Sequence, residues 1–243
     1  MSGSKSAWNG NPWFDAFFGT LSNCLITGCS DTGNGAGGGV FLNKGGRLSR
    51  CLITGNTLKG GGAAGKGAGV FLNSGGLVEN CLINRNTNNS PAPGGGGVYL
   101  TAGGVLRNCT ISDNSFAGSV GGGGVYCNGG GTLTNCIISF NSTPSSTSSN
   151  WTGSGSKFAY CCTMPTNGLT GAGNIAGDPL FVNRAAGNYR LAWDSPCIDA
   201  GTNQSWMAGA LDLDGELRIL RRAVDIGAYE SIPQARGSLL IIR

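Results

Sequence analysis

The chain has 243 residues, including 46 glycines and 10 cysteines; 12% of residues are charged and the formal net charge is +4. A hydrophobic fraction of 40% is too high for a disordered Gly-rich linker, and glycine without a three-residue period is not collagen. Lys44, Arg50, Lys59, Lys66, Arg85 and Arg107 are scattered rather than gathered on one stripe, so nucleic acid is not expected as a partner.

Residues 1–23 form a lead-in segment rich in aromatics, among them Trp8, Trp13, Phe14 and Phe17. No signal peptide is read there. Phe17 to Leu21 already looks like the second half of the pattern that follows, as expected of a piece of a longer or processed protein.

Residues 24–142 are built from a repeat. Its anchors are Cys24, Cys51, Cys81, Cys109 and Cys136, spaced 27, 30, 28 and 27 residues apart. Two residues after each comes Ile26, Ile53, Ile83, Ile111 or Ile138, and three before each comes an aliphatic residue. Five residues after the cysteine, the later copies carry Asn56, Asn86, Asn114 and Asn141, where the first has Cys29. A second short strand precedes each later cysteine: Val40-Phe41-Leu42, Val70-Phe71-Leu72, Val98-Tyr99-Leu100 and Val125-Tyr126-Cys127.

Such strands are short, β-branched and bounded by turn residues, with no 3.6-residue period or helix caps. One unit cannot bury its apolar face alone, but stacked copies about 4.8 Å apart can. The expected fold is all-β, a three-faced parallel β-solenoid with one enlarged Gly-rich loop. A propeller blade would need about 40 to 50 residues per repeat, so this period is too short. Cysteine and isoleucine are expected to face inward. The four asparagines are expected to stack as a ladder at a turn, in left-handed conformation. Gly37–Gly39, Gly60–Gly62, Gly94–Gly97 and Gly121–Gly124 read as positive-φ turns.

Stacked cysteines would lie within disulfide reach, yet inward thiols also behave as small hydrophobes. A mostly reduced ladder is preferred here. Cys161, Cys162 and Cys197 fall outside its phase and are the better disulfide candidates. With no histidine and no Cys-x-x-Cys pair, a zinc site is not expected.

Residues 143–200 are assigned to irregular coils and 201–243 to a C-terminal tail or cap. The acidic turn Asp212, Asp214, Glu216 prompts the question of calcium. A calcium loop needs a glutamate at its twelfth position, where this chain has Ala223. An Asx turn is therefore preferred, and no cofactor is expected apart from that calcium candidate. The run Leu239, Leu240, Ile241, Ile242 favours a strand and is too short to span a membrane.

The repeats, together with Gly177-Asp178-Pro179-Leu180-Phe181-Val182, Ser195-Pro196-Cys197-Ile198-Asp199-Ala200-Gly201, Asp212-Leu213-Asp214-Gly215 and Asp225-Ile226-Gly227-Ala228-Tyr229-Glu230, resemble right-handed parallel β-helix proteins of the pectin-lyase-like superfamily. The likeness is nearest to bacterial secreted or cell-surface members. It implies a right-handed β-helix in an extracellular setting. It leaves function open, because the superfamily hosts lyases, hydrolases, adhesins and spikes.

A glycosidase needs a carboxylate pair at defined separation. The coils hold only Asp31, Glu79 and Asp113, at three different phases of the repeat. The favoured expectation is a non-catalytic structural or binding protein, an adhesin or a self-assembling fibre. A polysaccharide lyase or glycoside hydrolase is the alternative. Two features would serve the favoured reading. Phe41, Phe71, Tyr99 and Tyr126 would form an outward aromatic stripe suited to an extracellular polysaccharide, unless a loop covers it. The apolar ends, Trp8, Trp13, Phe14, Phe17 and Leu239 to Ile242, would support head-to-tail self-association.

Overall fold

The computed structural model describes residues 19–31, 37–59, 65–101, 103–144 and 149–232. Three parallel sheets run the length of a solenoid. The first face stacks Thr20–Ser22, Arg47–Ser49, Leu77–Glu79, Val105–Arg107, Thr132–Thr134 and Lys157–Ala159. The second stacks Leu25–Thr27, Leu52–Thr54, Leu82–Asn84, Thr110–Ser112, Ile137–Ser139 and Cys162–Thr163. The third stacks Val40–Asn43, Val70–Asn73, Val98–Thr101, Val125–Asn128 and Trp151–Ser154. Two-residue strands, such as Thr57–Leu58 and Gly94–Gly95, fill the corner between the second and third faces.

Every repeat pairs in register. Leu48 lies over Leu21 and under Val78; Ile53 lies between Ile26 and Ile83. Alternate residues of each strand therefore form apolar columns in one continuous core, with Val40, Leu42, Leu48, Cys51 and Ile53 repeated coil after coil. Burying one such Leu or Ile fully contributes about 1.5–3 kcal/mol.

The cysteine column is interior, and it is longer than the repeat count predicts. Cys161 joins Cys51, Cys81, Cys109 and Cys136 as a fully buried member, with Cys24 half-buried at the first coil. This corrects the expectation that Cys161 falls outside the ladder phase; Thr163 and Phe158 stand where other coils have Ile and Leu or Val. Each thiol donates to the carbonyl two residues back: Cys51 to Ser49 (3.4 Å), Cys81 to Glu79 (3.1 Å), Cys109 to Arg107 (3.3 Å). Burial holds the Cys81, Cys109 and Cys136 thiols well above their ordinary pKa.

Two turn expectations need correction. The ladder asparagines are not left-handed. That conformation belongs to the residue before each: Gly55 (φ 64°), Arg85 (54°), Asp113 (56°) and Phe140 (60°). A second left-handed series, Asn23, Arg50, Asn80, Asn108, Asn135 and Tyr160, turns the chain between the first and second faces just before each cysteine. Asparagine fills most of it because its amide tolerates this region.

The ladder asparagines are instead buried hydrogen-bond bridges. Asn86 Nδ2 donates to Ile53 O (3.0 Å) and Asn114 Oδ1 (2.9 Å), while Asn86 Oδ1 accepts from Asn56 N (3.0 Å) and Nδ2 (2.9 Å). Of the predicted glycine turns, Gly60–Gly62 lie outside the described residues. The others are not at positive φ. They are small because coils meet there: a Cβ on Gly97 would stand 2.8 Å from Gly124 O and 2.9 Å from Asn114 Nδ2.

Residues 164–200 do not continue as coils. The last parallel pairing is that of Cys162–Thr163, extended by one bridge from Cys162 to Ile175. The chain then forms an antiparallel hairpin, Phe181–Asn183 with Asn188–Leu191, and runs back along the outside of the second face. Tyr189 Oη donates to Asp113 Oδ2 (2.8 Å), Asn135 Nδ2 to Thr202 O (3.0 Å), Ala228 N to Thr110 Oγ1 (3.1 Å) and Asn80 Nδ2 to Leu211 O (3.0 Å). Cover is uneven: outward Leu25 is 39% exposed, while Leu82, Thr110 and Ile137 are buried. The motifs of this return segment lock onto one another. Buried Arg218 Nη2 lies 2.8 Å from Glu230 Oε1, and its guanidinium donates to Asp225 O and Gly227 O.

Candidate functional site

The return segment and the outer side of the first face enclose a cleft of about 360 Å³. Period-two alternation places it: in strands whose central Leu or Val faces the core, the flanking residues point outward. One outward column reads Ser22, Ser49, Glu79, Arg107, Thr134, and the other begins Thr20, Arg47. Residues from four adjacent coils thus meet, and Trp206, Ala210 and Leu211 form the opposite wall.

Glu79 is its electrostatic centre and is 1% exposed. Its Oε1 accepts from Arg47 Nε (2.8 Å), Arg47 Nη2 and Ser49 Oγ (3.1 Å), and its Oε2 from Arg107 Nε (2.8 Å) and Nη2. The Arg107 guanidinium lies 3.7 Å from the centre of the Trp206 ring. Arg50, left-handed at φ 52°, brings a third guanidinium to the lining, with no partner among the described residues. Three arginines against one glutamate leave the cleft two positive charges in excess. Hydroxyls of Thr20, Ser22 and Ser49 line the rest.

Chemically this arrangement suits an anionic, hydroxyl-rich ligand. It suits hydrolysis poorly: the single lining carboxylate is held by two forked ion pairs, and a glycosidase needs a second carboxylate facing it. The other coil acid singled out from sequence, Asp113, is tied to Arg184 (2.7 Å) and Tyr189.

The aromatic stripe stands on the outer side of the third face as a column of its own, apart from the core. Phe41 and Phe71 stack with ring centres 4.9 Å apart, and Tyr99 meets Phe71 edge-on at 5.2 Å. It is not an open platform. Phe41, Phe71 and Tyr99 are 9%, 6% and 1% exposed, and only Tyr126 is partly accessible. Lys66, from the adjoining Gly-rich loop, lies 5.1 Å from the Tyr99 ring centre, and Asn128 Nδ2 bonds its hydroxyl (2.9 Å). Burial raises the Tyr99 pKa accordingly.

The calcium candidates do not converge. Asp212 is fully buried and accepts from the backbone N–H groups of Asp214 (2.9 Å), Glu216 (2.8 Å) and Glu230 (2.8 Å). Asp214 pairs with Arg190 (2.5 Å). Among the described residues, no group of three His, Cys, Asp or Glu side chains is placed to hold a metal ion. Trp8, Trp13, Phe14, Phe17, Leu239, Leu240, Ile241 and Ile242 lie outside the described residues.

A family model for the right-handed β-helix region matches residues 10–164, which end where the parallel coils end. The chain belongs to the right-handed β-helix family. No curated protein and no solved structure matches it. No helix among the described residues of this β-helix is long and apolar enough to cross a membrane.

Sequence reasoning missed the cleft. Glu79 was set aside as an isolated acid and Arg47 was not singled out. Aligning the repeats on cysteine would have placed Arg47 and Arg107 in the coils on either side of Glu79. Nothing in the repeats announces Trp206, whose position depends on the path of the return segment.

Proposed function

We propose that this β-helix is a non-catalytic binding protein of the bacterial cell surface or extracellular space, and that the cleft on its first face takes an acidic polysaccharide. The observation that carries this reading is the charge arrangement: Arg50 is unpaired among the described residues, while Glu79 is engaged by Arg47, Arg107 and Ser49. A uronate carboxylate can accept a forked pair from Arg50, and sugar hydroxyls can exchange hydrogen bonds with Thr20, Ser22 and Ser49. Adhesion is the corresponding role. Self-assembly into fibres would rest on the terminal segments, which lie outside the described residues.

The test is titration with an oligo-uronate and a neutral oligosaccharide of equal length. Uronate binding that weakens with salt, and falls about tenfold or more in Arg50→Gln, is expected, since a charge-assisted hydrogen bond contributes about 1.5–3 kcal/mol. Equal binding of the neutral sugar would refute the ligand class. Release of unsaturated uronate products by the wild-type protein would refute the non-catalytic reading in favour of a lyase.

A further inference from the structure

We propose that Cys162 and Cys197 form a disulfide that staples the return segment to the last coil, while the six column cysteines stay reduced. The two residues come from different parts of the chain: Cys162 begins the last strand of the second face, and Cys197 follows Ser195-Pro196 in the return segment. Both are fully buried in a small second cluster with Ile137, Leu191 and Ile226, and the neighbouring Cys162 thiol raises the Cys197 pKa. Both backbones are fixed. Cys162 N donates to Cys136 O (2.9 Å); Cys197 N donates to Ser195 Oγ (3.1 Å) and Cys197 O accepts from Ile226 N (2.9 Å).

The column thiols differ. They project side by side from in-register positions, and each donates to a backbone carbonyl of its own coil. The Cys162 thiol donates instead to Gly177 O (3.6 Å), outside its own strand, and shares its cluster with Cys197. A shared buried cluster, fixed backbones and a longer thiol–carbonyl contact set this pair apart from the column.

The chemistry is thiol–disulfide exchange with a small-molecule disulfide oxidant such as oxidised glutathione. One cysteine thiolate attacks the oxidant, forming a mixed disulfide and expelling one reduced thiol. The second cysteine thiolate then displaces the other, giving the protein disulfide. The two protons lost by the protein thiols end on the two expelled sulfurs, so the oxidant leaves as two thiols. Because both sulfurs are shielded in the folded protein, exchange takes place before the return segment docks.

The experiment refolds the full chain in a glutathione redox buffer, denatures it and alkylates free thiols. Eight of the ten cysteines should be alkylated, rising to all ten after reduction. Trypsin should release peptide 158–184 linked to peptide 191–218, in which Cys197 is the only cysteine. The link should survive Cys161→Ala and vanish in Cys162→Ala. Ten alkylated thiols in the refolded wild-type protein would overturn the proposal. So would a link that survives Cys162→Ala and is lost in Cys161→Ala. The wild-type measurement decides the first point even where a variant folds poorly.

Discussion

Truncating Asn86 to alanine tests the ladder at its centre. Asn86 contributes four side-chain hydrogen bonds between 2.9 and 3.0 Å, two donated to Ile53 O and Asn114 Oδ1 and two accepted from Asn56. Asn56 Nδ2 keeps its bond to Ile26 O, and Asn114 Oδ1 keeps the Asn86 backbone N–H, so those groups are only partly deprived. The Asn56 backbone N–H is left buried without its acceptor, which costs about 1–3 kcal/mol. The other three bonds are worth about 1 kcal/mol each. The sum is about 4–6 kcal/mol, a large share of the ~5–15 kcal/mol that ordinary domains possess. Urea unfolding followed by far-ultraviolet circular dichroism reads it as a fall in midpoint. Asn73→Ala is the control. It removes one bond, to Asn43 Oδ1 (2.9 Å), at a partly exposed corner, and should cost less than about 1 kcal/mol. If Asn86→Ala unfolds within about 1 kcal/mol of the wild type, the ladder is not the coil-to-coil brace inferred for it.

Gly97→Ala should destabilise by about 3 kcal/mol, because its methyl would meet the Gly124 carbonyl at 2.8 Å and the buried Asn114 and Ile111 side chains at 2.9 Å; Gly177→Ala, with nothing within 4 Å, should be nearly neutral in the same urea assay. Glu79→Gln should lower stability by only about 1–2 kcal/mol, since Arg47 and Arg107 are 47% and 21% exposed and can turn to water. It should leave uronate affinity unchanged or tighter by titration, whereas loss of binding would make Glu79 part of the ligand contact. Burial pushes the Glu230 carboxyl up to about 9 from an ordinary 4.5. The folded protein therefore keeps a proton that the unfolded chain releases. Its contribution is full below pH 4.5 and is lost as pH rises toward 9. Urea midpoints measured across that range should fall in the wild type and flatten in Glu230→Gln.

The fold could be read because the solenoid repeats its reasons. Ile26 to Ile138 and Cys24 to Cys136 recur at one phase, and a face shared by stacked copies must be interior. What could not be read lies where a residue's role depends on something other than its own repeat. Asn56 and its successors were placed at the right corner for the wrong reason: the left-handed turn is made one residue earlier, by types as different as Gly55, Arg85 and Phe140. Gly96 and Gly97 resemble turn glycines in one dimension and are close-contact glycines in three. Cys161 was hidden by the loss of its isoleucine partner. The cleft needed two comparisons at once, across coils for Arg47, Glu79 and Arg107, and across the molecule for Trp206.

The uneven cover of the second face has a mechanical consequence. The return segment straps the middle coils, with Ala228 bonded to Thr110 and Tyr189 to Asp113, but leaves Leu25 open. A pull on residue 19 would peel the opening coil by breaking one row of strand pairings at a time. A pull on residue 232 must first shear the strap off sideways, loading the bonds to Thr110 and Asn135 together. The molecule is thus weak when drawn from its front and stiff when drawn from its back.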